Sequence, residues 1–228
     1  PDAEKFIERT DIFKVNCLNG YSLALALENP VFYRALINSE ILLCDGILIK
    51  LLCRIIAKRK VNRLTGPDFA EAYISRHNHR FLFLGATDDI LNQLVPAVQR
   101  CSNAEIFGHA PRFVDRISDS FVSEIAHVIN KLGPVTVFLG LTAPKQEILA
   151  DQLEKQTLVK NYIQVGAFFE FKAGTLKRAP VWVSTIGFEW LWRFMKQPQK
   201  IGHRILTLRK VLFAIIEYLF LGGAKDER

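Results

Sequence analysis

The chain has 228 residues, half of them hydrophobic and 23% charged, enough for one large packed domain and too apolar for general disorder. Its formal net charge of +7 is uneven. From Lys172 onward eleven Lys/Arg face four Asp/Glu, so the C-terminal quarter carries the whole excess and calls for an anionic partner: phosphate, acidic lipid or nucleic acid.

Pro1 to Arg9 is polar and charged, so no signal peptide is expected there. Strand-like apolar runs fall at Ile12–Cys17, Ile41–Cys44, Phe81–Leu84, Glu105–Phe107, Val135–Leu139 and Tyr162–Val165. Helical patterns fill the intervals, at Tyr21–Leu27, Val31–Asn38, Ile47–Ala57, Phe69–Arg76, Asp89–Arg100, Val114–Leu132 and Lys145–Glu154. Short, unalternating apolar strands interleaved with helices predict an α/β fold with a mainly parallel sheet and helices on both faces. Turn chemistry follows several strands, at Asp45-Gly46, Gly85-Ala86-Thr87, Gly140 to Pro144 and Gly166-Ala167. An open sheet of this kind binds ligand at the carboxyl ends of its strands, so these turns are expected to face one pocket.

After Gly174 the alternation stops. Residues 177–228 read as short helices rich in Trp and basic side chains, ending in a longer helix from about His203. A boundary near 195 divides a core, 1–195, from a helical, basic C-terminal appendage, 196–228. The longest apolar run, Val211 to Leu221, is interrupted by Glu217 and falls short of the ~20 residues a bilayer span needs. It suits a helix lying on a membrane or packed on the domain, with Leu208, Val211, Leu212, Ile215 and Leu219 on one face. Cys17, Cys44, Cys53 and Cys101 lack metal-binding spacing and lie in or beside apolar segments, as buried reduced thiols would.

Several motifs carry two readings each. Asp45 either caps a helix or stands ionised at the mouth of the crevice, ready to accept a proton. Arg63-Leu-Thr-Gly66-Pro67-Asp68 is either a capping turn or a fixed cation beside a helix N-terminus, which suits phosphate. Phe81 to Thr87 is a strand and glycine turn at a candidate nucleotide edge, although it is not GxGxxG. Pro144-Lys145-Gln146-Glu147 has helix-start chemistry with Pro at N1, and three polar side chains that exceed what capping needs. Glu189 and Arg193 are spaced as an i,i+4 ion pair, or face a ligand.

The order of these signals resembles the WecG/TagA/CpsF family of bacterial glycosyltransferases (glycosyltransferase family 26) from about Ile12 to Arg204. The resemblance rests on Leu18-Asn19, Asp45-Gly46, Arg63 to Gly66, Phe83 to Ala86, Pro144 to Glu147, Val165 to Ala167, Ala173-Gly174, Arg178 to Pro180, Glu189-Trp190, Arg193 and Pro198. It implies a Rossmann-like core that transfers a sugar, with inversion, from a UDP-sugar donor to an undecaprenyl-diphosphate-linked saccharide. It further implies no metal and no other cofactor, with assembly of surface polysaccharide or teichoic acid as the setting. The place implied is peripheral, on the cytoplasmic face of the bacterial inner membrane, whose anionic surface is a partner; a homo-oligomer stays open and nucleic acid is not expected.

Carried over, Asp45 matches the catalytic base and Asn19 lies in the donor pocket. Arg63 and Gln146 match substrate-contacting positions. Arg178, Arg193 and Arg204 belong to the region that closes over the acceptor diphosphate. Cys17, Gly46, Gly66, Gly85, Ala86, Gly140, Lys145, Glu147, Gly166 and Glu189 complete the expected substrate site. The sequence departs from the family pattern at Cys17, Leu48, Thr142 and Glu170; Cys17 and Thr142 border the expected donor site, which leaves the sugar open. A Rossmann-type oxidoreductase is the rival enzyme, disfavoured by the missing GxGxxG. A non-catalytic membrane-surface or nucleic-acid adaptor is the rival without turnover.

Overall fold

The computed structural model describes residues 7–8, 13–159, 161–185 and 187–220. Ile7 and Glu8 apart, the opening segment read as polar lies outside the described residues, as do the strand start at Ile12 and the end of the tail from 221.

The six apolar runs form one six-stranded sheet: β1 (Phe13–Leu18), β2 (Ile41–Cys44), β3 (Phe81–Gly85), β4 (Ile106–His109), β5 (Thr136–Gly140) and β6 (Asn161–Gln164). Every pairing is parallel, in the order β2-β1-β6-β5-β3-β4. The intervals form α1 (Gly20–Ala26), α2 (Pro30–Ile37), α3 (Ile47–Ile55), α4 (Gly66–Arg76), α5 (Asp88–Gln99), α6 (Asp119–Leu132), α7 (Lys145–Leu153) and α8 (Phe168–Lys172). Beyond them come α9 (Val181–Thr185), α10 (Glu189–Lys196) and α11 (Pro198–Phe220).

Because successive strand residues point to opposite faces, each strand feeds two cores. On one face Phe13, Val15, Phe81, Phe83, Phe138 and Ile163 pack against Phe69 and Tyr73 of α4, Leu91, Leu94 and Val98 of α5, and Phe168 and Phe169 of α8. On the other, Leu82, Leu84, Val137, Leu139 and Tyr162 meet Phe121, Ile125 and Ile129 of α6 and Leu149 and Leu153 of α7. Double coverage explains why the four inner strands lack alternation: both of their faces are dry, whereas the edge strands β2 and β4 keep exposed residues. The result is the expected Rossmann-like α/β fold. Lys14 of β1, 1% exposed, is a cation held inside: it reaches Glu154 at 2.8 Å and Asp151 at 3.2 Å, tying β1 to α7.

Three local expectations are corrected. The helix expected from Val114 starts at Asp119, where the Ser118 hydroxyl accepts the Phe121 N–H and the first turn takes an acidic residue. Pro144 occupies the N-cap of α7 and Lys145 is its first helical residue. Cys101 is exposed, since it follows the end of α5 in a turn; Cys17 is buried and Cys44 and Cys53 are half-buried, all of them free.

The long terminal helix begins at Pro198, five residues before His203, and packs along α1. Val211 is 2% exposed, Tyr21 stacks edge-on with His203, and Lys210 pairs with Glu28 at 2.5 Å. Of the apolar face expected on this helix, Val211 is therefore spent on packing. Leu206, Leu212, Phe213, Ile216 and Tyr218 are exposed, while the Leu219 side chain lies outside the described residues. Among the described residues no helix is long and apolar enough to cross a membrane.

Candidate active site

The sheet order places the expected turns along one edge. From β2 to β3 the carboxyl ends carry Asp45, Asn19, Gly166, Gly140 and Gly85 in that spatial sequence. Asp45 and Gly85 are four inter-strand steps apart, roughly 19 Å at ~4.8 Å per step. The turns thus share a long crevice and not a single point. After β3 the chain runs outward to β4, and after β5 it turns back to β6, so β3 and β5 flank the reversal where such folds bind ligands. There Gly85 and Gly140 pair across the strands, and a Cβ on Gly85 would stand 2.7 Å from the Gly140 carbonyl carbon.

The other end of the crevice is built around Asp45. Its N–H donates to the Leu18 carbonyl at 2.9 Å, extending the β1–β2 ladder by one residue. The N-cap of α3 is Gly46, not Asp45, at φ +119, a left-handed conformation that glycine adopts without strain. No side chain caps this helix, so the capping reading of Asp45 is removed and its carboxylate is left for other work. Asn19 caps α1: its Oδ1 accepts the Ser22 N–H at 3.0 Å, and the Ser22 hydroxyl accepts the Asn19 N–H at 2.8 Å. That fixes the amide so that it hydrogen-bonds Asp45. Arg63 arrives because Leu64 N–H donates to the Cys44 carbonyl at 3.1 Å, pinning the 61–65 segment beside β2.

Gly66 then permits a close approach. A Cβ there would lie 2.8 Å from Cys17 Sγ and 3.1 Å from the Gln164 carbonyl oxygen. The next turn is capped by Thr65, whose hydroxyl meets Asp68 at 2.6 Å.

Charge around Asp45 comes from the C-terminal helices. Burial first, and then the Glu189 carboxylate, push its pKa from 3.8 up to about 6; Arg193, the Asn19 hydrogen bond and Arg63 pull the other way. Arg193 in turn faces Arg204, whose ionised form burial and Arg193 both disfavour. Arg204 lies over the Tyr21 ring at 5.0 Å, and the Nε of each arginine is buried without a hydrogen-bond partner. Burial, followed by the charges of Asp45 and Glu147, drives the Cys17 thiol well above its ordinary pKa, so it stays protonated.

Sequence expectation and structure differ elsewhere. Gln146 and Glu147 are buried, with the Gln146 amide donating to Glu147 at 2.9 Å, and burial lifts Glu147 to about 7. Lys145 is turned away: its ammonium donates to the Val114 carbonyl at 2.9 Å and sits over Phe113. Arg178 is spent on Asp68 at 2.7 Å, beside α4 and under no obligation to Asp45. Gly166 is exposed at φ +58, and Ala86 adopts φ +60 at the β3 turn. Two residues escaped the sequence reading. Tyr21 orients Arg204, and Gln164, fully buried on β6, holds two side-chain atoms without partners. A glutamine inside the strand-like run Tyr162–Val165 was the available signal for the second.

The profile of the Glycosyl transferase WecG/TagA/CpsF family matches residues 2–224. A Bacillus spizizenii protein named N-acetylglucosaminyldiphosphoundecaprenol N-acetyl-beta-D-mannosaminyltransferase is 24% identical over 200 residues, covering 85% of this chain and 74% of its own. A Bacillus subtilis protein of the same name is 24% identical over 210 residues, covering 89% of this chain and 78% of its own. With that match over nearly its whole length, and with the family's ordered motifs gathered on one edge of a parallel sheet, the chain belongs to the WecG/TagA/CpsF family of glycosyl transferases.

Proposed function

We propose that the protein moves a sugar, N-acetylmannosamine, glucose or a close relative, from a UDP-sugar to a saccharide linked to undecaprenyl diphosphate, with inversion. The acceptor class follows the names of the two Bacillus relatives, which act on N-acetylglucosaminyldiphosphoundecaprenol. The observation that carries the reading is Asp45: a carboxylate released from capping, hydrogen-bonded by Asn19 and flanked by Arg63 and Arg193.

In this reading the acceptor hydroxyl attacks the anomeric carbon from the face opposite UDP. Asp45 takes its proton, the new C–O bond forms, and the bond to the UDP oxygen breaks. A carboxylate titrating at about 6 is ionised at neutral pH and more basic than an ordinary aspartate. Charge developing on the leaving diphosphate falls to Arg63, Arg193 and Arg204. The unpartnered Nε groups of Arg193 and Arg204 are donors held for an anion. Asn19, Cys17 and Gly66 line the donor end, and Gln146 with Glu147 supports it. Residues 196–228 act as an appendage that closes over the lipid-linked acceptor from the membrane side, on the cytoplasmic face.

The test is UDP release with a short-chain prenyl-diphosphate-saccharide acceptor and a panel of UDP-sugars, with and without EDTA. Asp45→Asn is expected to lower kcat by ~10²–10⁴-fold without loss of fold. Full activity in Asp45→Asn would remove the base; loss of turnover in EDTA would remove the metal-free mechanism.

A further inference from the structure

The neutral total charge of the first 171 residues hides a local run. Between Gly46 and Pro67 there are six cations, at Lys50, Arg54, Lys58, Arg59, Lys60 and Arg63, and no acidic residue. The same stretch contains α3, whose sequence ILIKLLCRI is almost wholly apolar yet buries only Ile49. Ile47, Leu51 and Ile55, one i,i+4 stripe, are 39%, 46% and 63% exposed. At 100° per residue, Lys50 and Arg54 flank that stripe directly, and Lys58 to Lys60 continue the cations past its end, all exposed. Leu48, on the inner side, instead reaches Gly20 of α1.

Position makes this face consequential. α3 starts two residues after Asp45, so it forms one lip of the crevice. Its first residue touches the turn between α9 and α10: a Cβ on Gly187 would stand 2.9 Å from Ile47 Cβ. Around that junction Trp182, Phe188, Trp190 and Leu191 are exposed, so the apolar surface runs from α3 into α9 and α10. An apolar stripe bordered by cations and free of acid matches an anionic lipid surface, with aliphatic groups entering the acyl boundary and ammonium and guanidinium groups at the phosphates.

We propose that α3 and the basic segment 56–60 are a membrane-contact element of their own, seating the Asp45 lip of the crevice on anionic phospholipid independently of α11. The inference rests on the transferase reading only in that a lipid-linked acceptor would be met at that surface. Two-sided seating, by α3 on one lip and the C-terminal helices on the other, would bring a diphosphate at headgroup depth level with Asp45.

The test uses the whole chain and vesicles of phosphatidylcholine alone or with phosphatidylglycerol. A triple variant, K58S/R59S/K60S, is expected to partition roughly 100-fold more weakly onto the anionic vesicles, at roughly fivefold per basic side chain. Leu51→Trp, in vesicles of brominated lipid, is expected to add a quenched emission to that of Trp182, Trp190 and Trp192, read as the difference from wild type. Turnover of the triple variant on a water-soluble short-chain acceptor is expected to stay within about twofold of wild type. Unchanged vesicle binding by the triple variant, or an unquenched Trp at 51, would overturn the proposal. So would a wild-type dimer in light scattering that Ile55→Glu splits, since α3 would then face a second copy. Weakened vesicle binding in a protein with no turnover on any donor would leave this proposal standing and sink the transferase reading instead.

Discussion

Asp45 sits in the field of the Glu189 carboxylate, and Arg193 and Arg63 oppose that field. Burial is the main reason Asp45 titrates at about 6, and Glu189 adds to it, so a protonated fraction persists into the mildly acidic range. Activity through an ionised base should therefore rise through pH 6 in kcat/KM. Glu189→Gln removes the repelling charge and should move that acidic limb to lower pH. Arg193→Gln removes an attracting charge and should move it higher. A pH–rate profile of the two variants checks both signs, and shifts in the same direction would place these side chains elsewhere. Asp45 also shows how far a residue can be read from sequence alone. Its place between strand and helix was legible, but its freedom from capping depended on Gly46 taking φ +119.

At the scale of elements, the crevice is kept narrow by glycines that close packing demands. Gly140 ends β5 opposite Gly85, and a Cβ on it would sit 2.4 Å from two carbons of the Phe169 ring, itself 1% exposed. Phe169 belongs to α8, so a larger residue at 140 pushes the helix that follows β6. Gly140→Ala is expected to cost ~1–3 kcal/mol in urea unfolding. Added to Phe169→Leu, the same substitution should cost less than it does alone, because the shorter side chain vacates the contested space. Strictly additive costs would show that the two sites do not meet. The strands were legible as elements because each is a bounded apolar run. The start of α6 was not, because the apolar Val114 and Ile117 extend the pattern through a loop and the Ser118 cap decides the boundary.

For the whole molecule, burying acids at the carboxyl edge has a thermodynamic consequence. Glu147 moves from 4.5 to about 7 and Asp45 from 3.8 to about 6 on folding. As pH rises from about 4 to 7 the unfolded chain gives up these protons first. The stability the two protonated acids contribute is complete below their unfolded pKa values and is lost as pH rises through their folded ones. Glu147→Gln keeps the size and stays neutral, so its Tm should exceed that of wild type at pH 8 and approach it at pH 4. Equal pH dependence in the two proteins would show that Glu147 is not held in its buried place at neutral pH.

The sequence by itself determined the fold class, the six strands and most helices, because apolar period and turn chemistry are local properties of the chain. It also determined the family, since ordered motifs survive without knowledge of their contacts. Which motifs meet was decided only in three dimensions. Strand order brings Asn19 beside Asp45, while Arg193 and Arg204 arrive from helices well over a hundred residues later in the chain. Lys145 and Arg178 looked equally eligible, but a carbonyl and a carboxylate elsewhere claim them. A side chain's partners depend on the path of distant backbone, and no local pattern in a sequence carries that path.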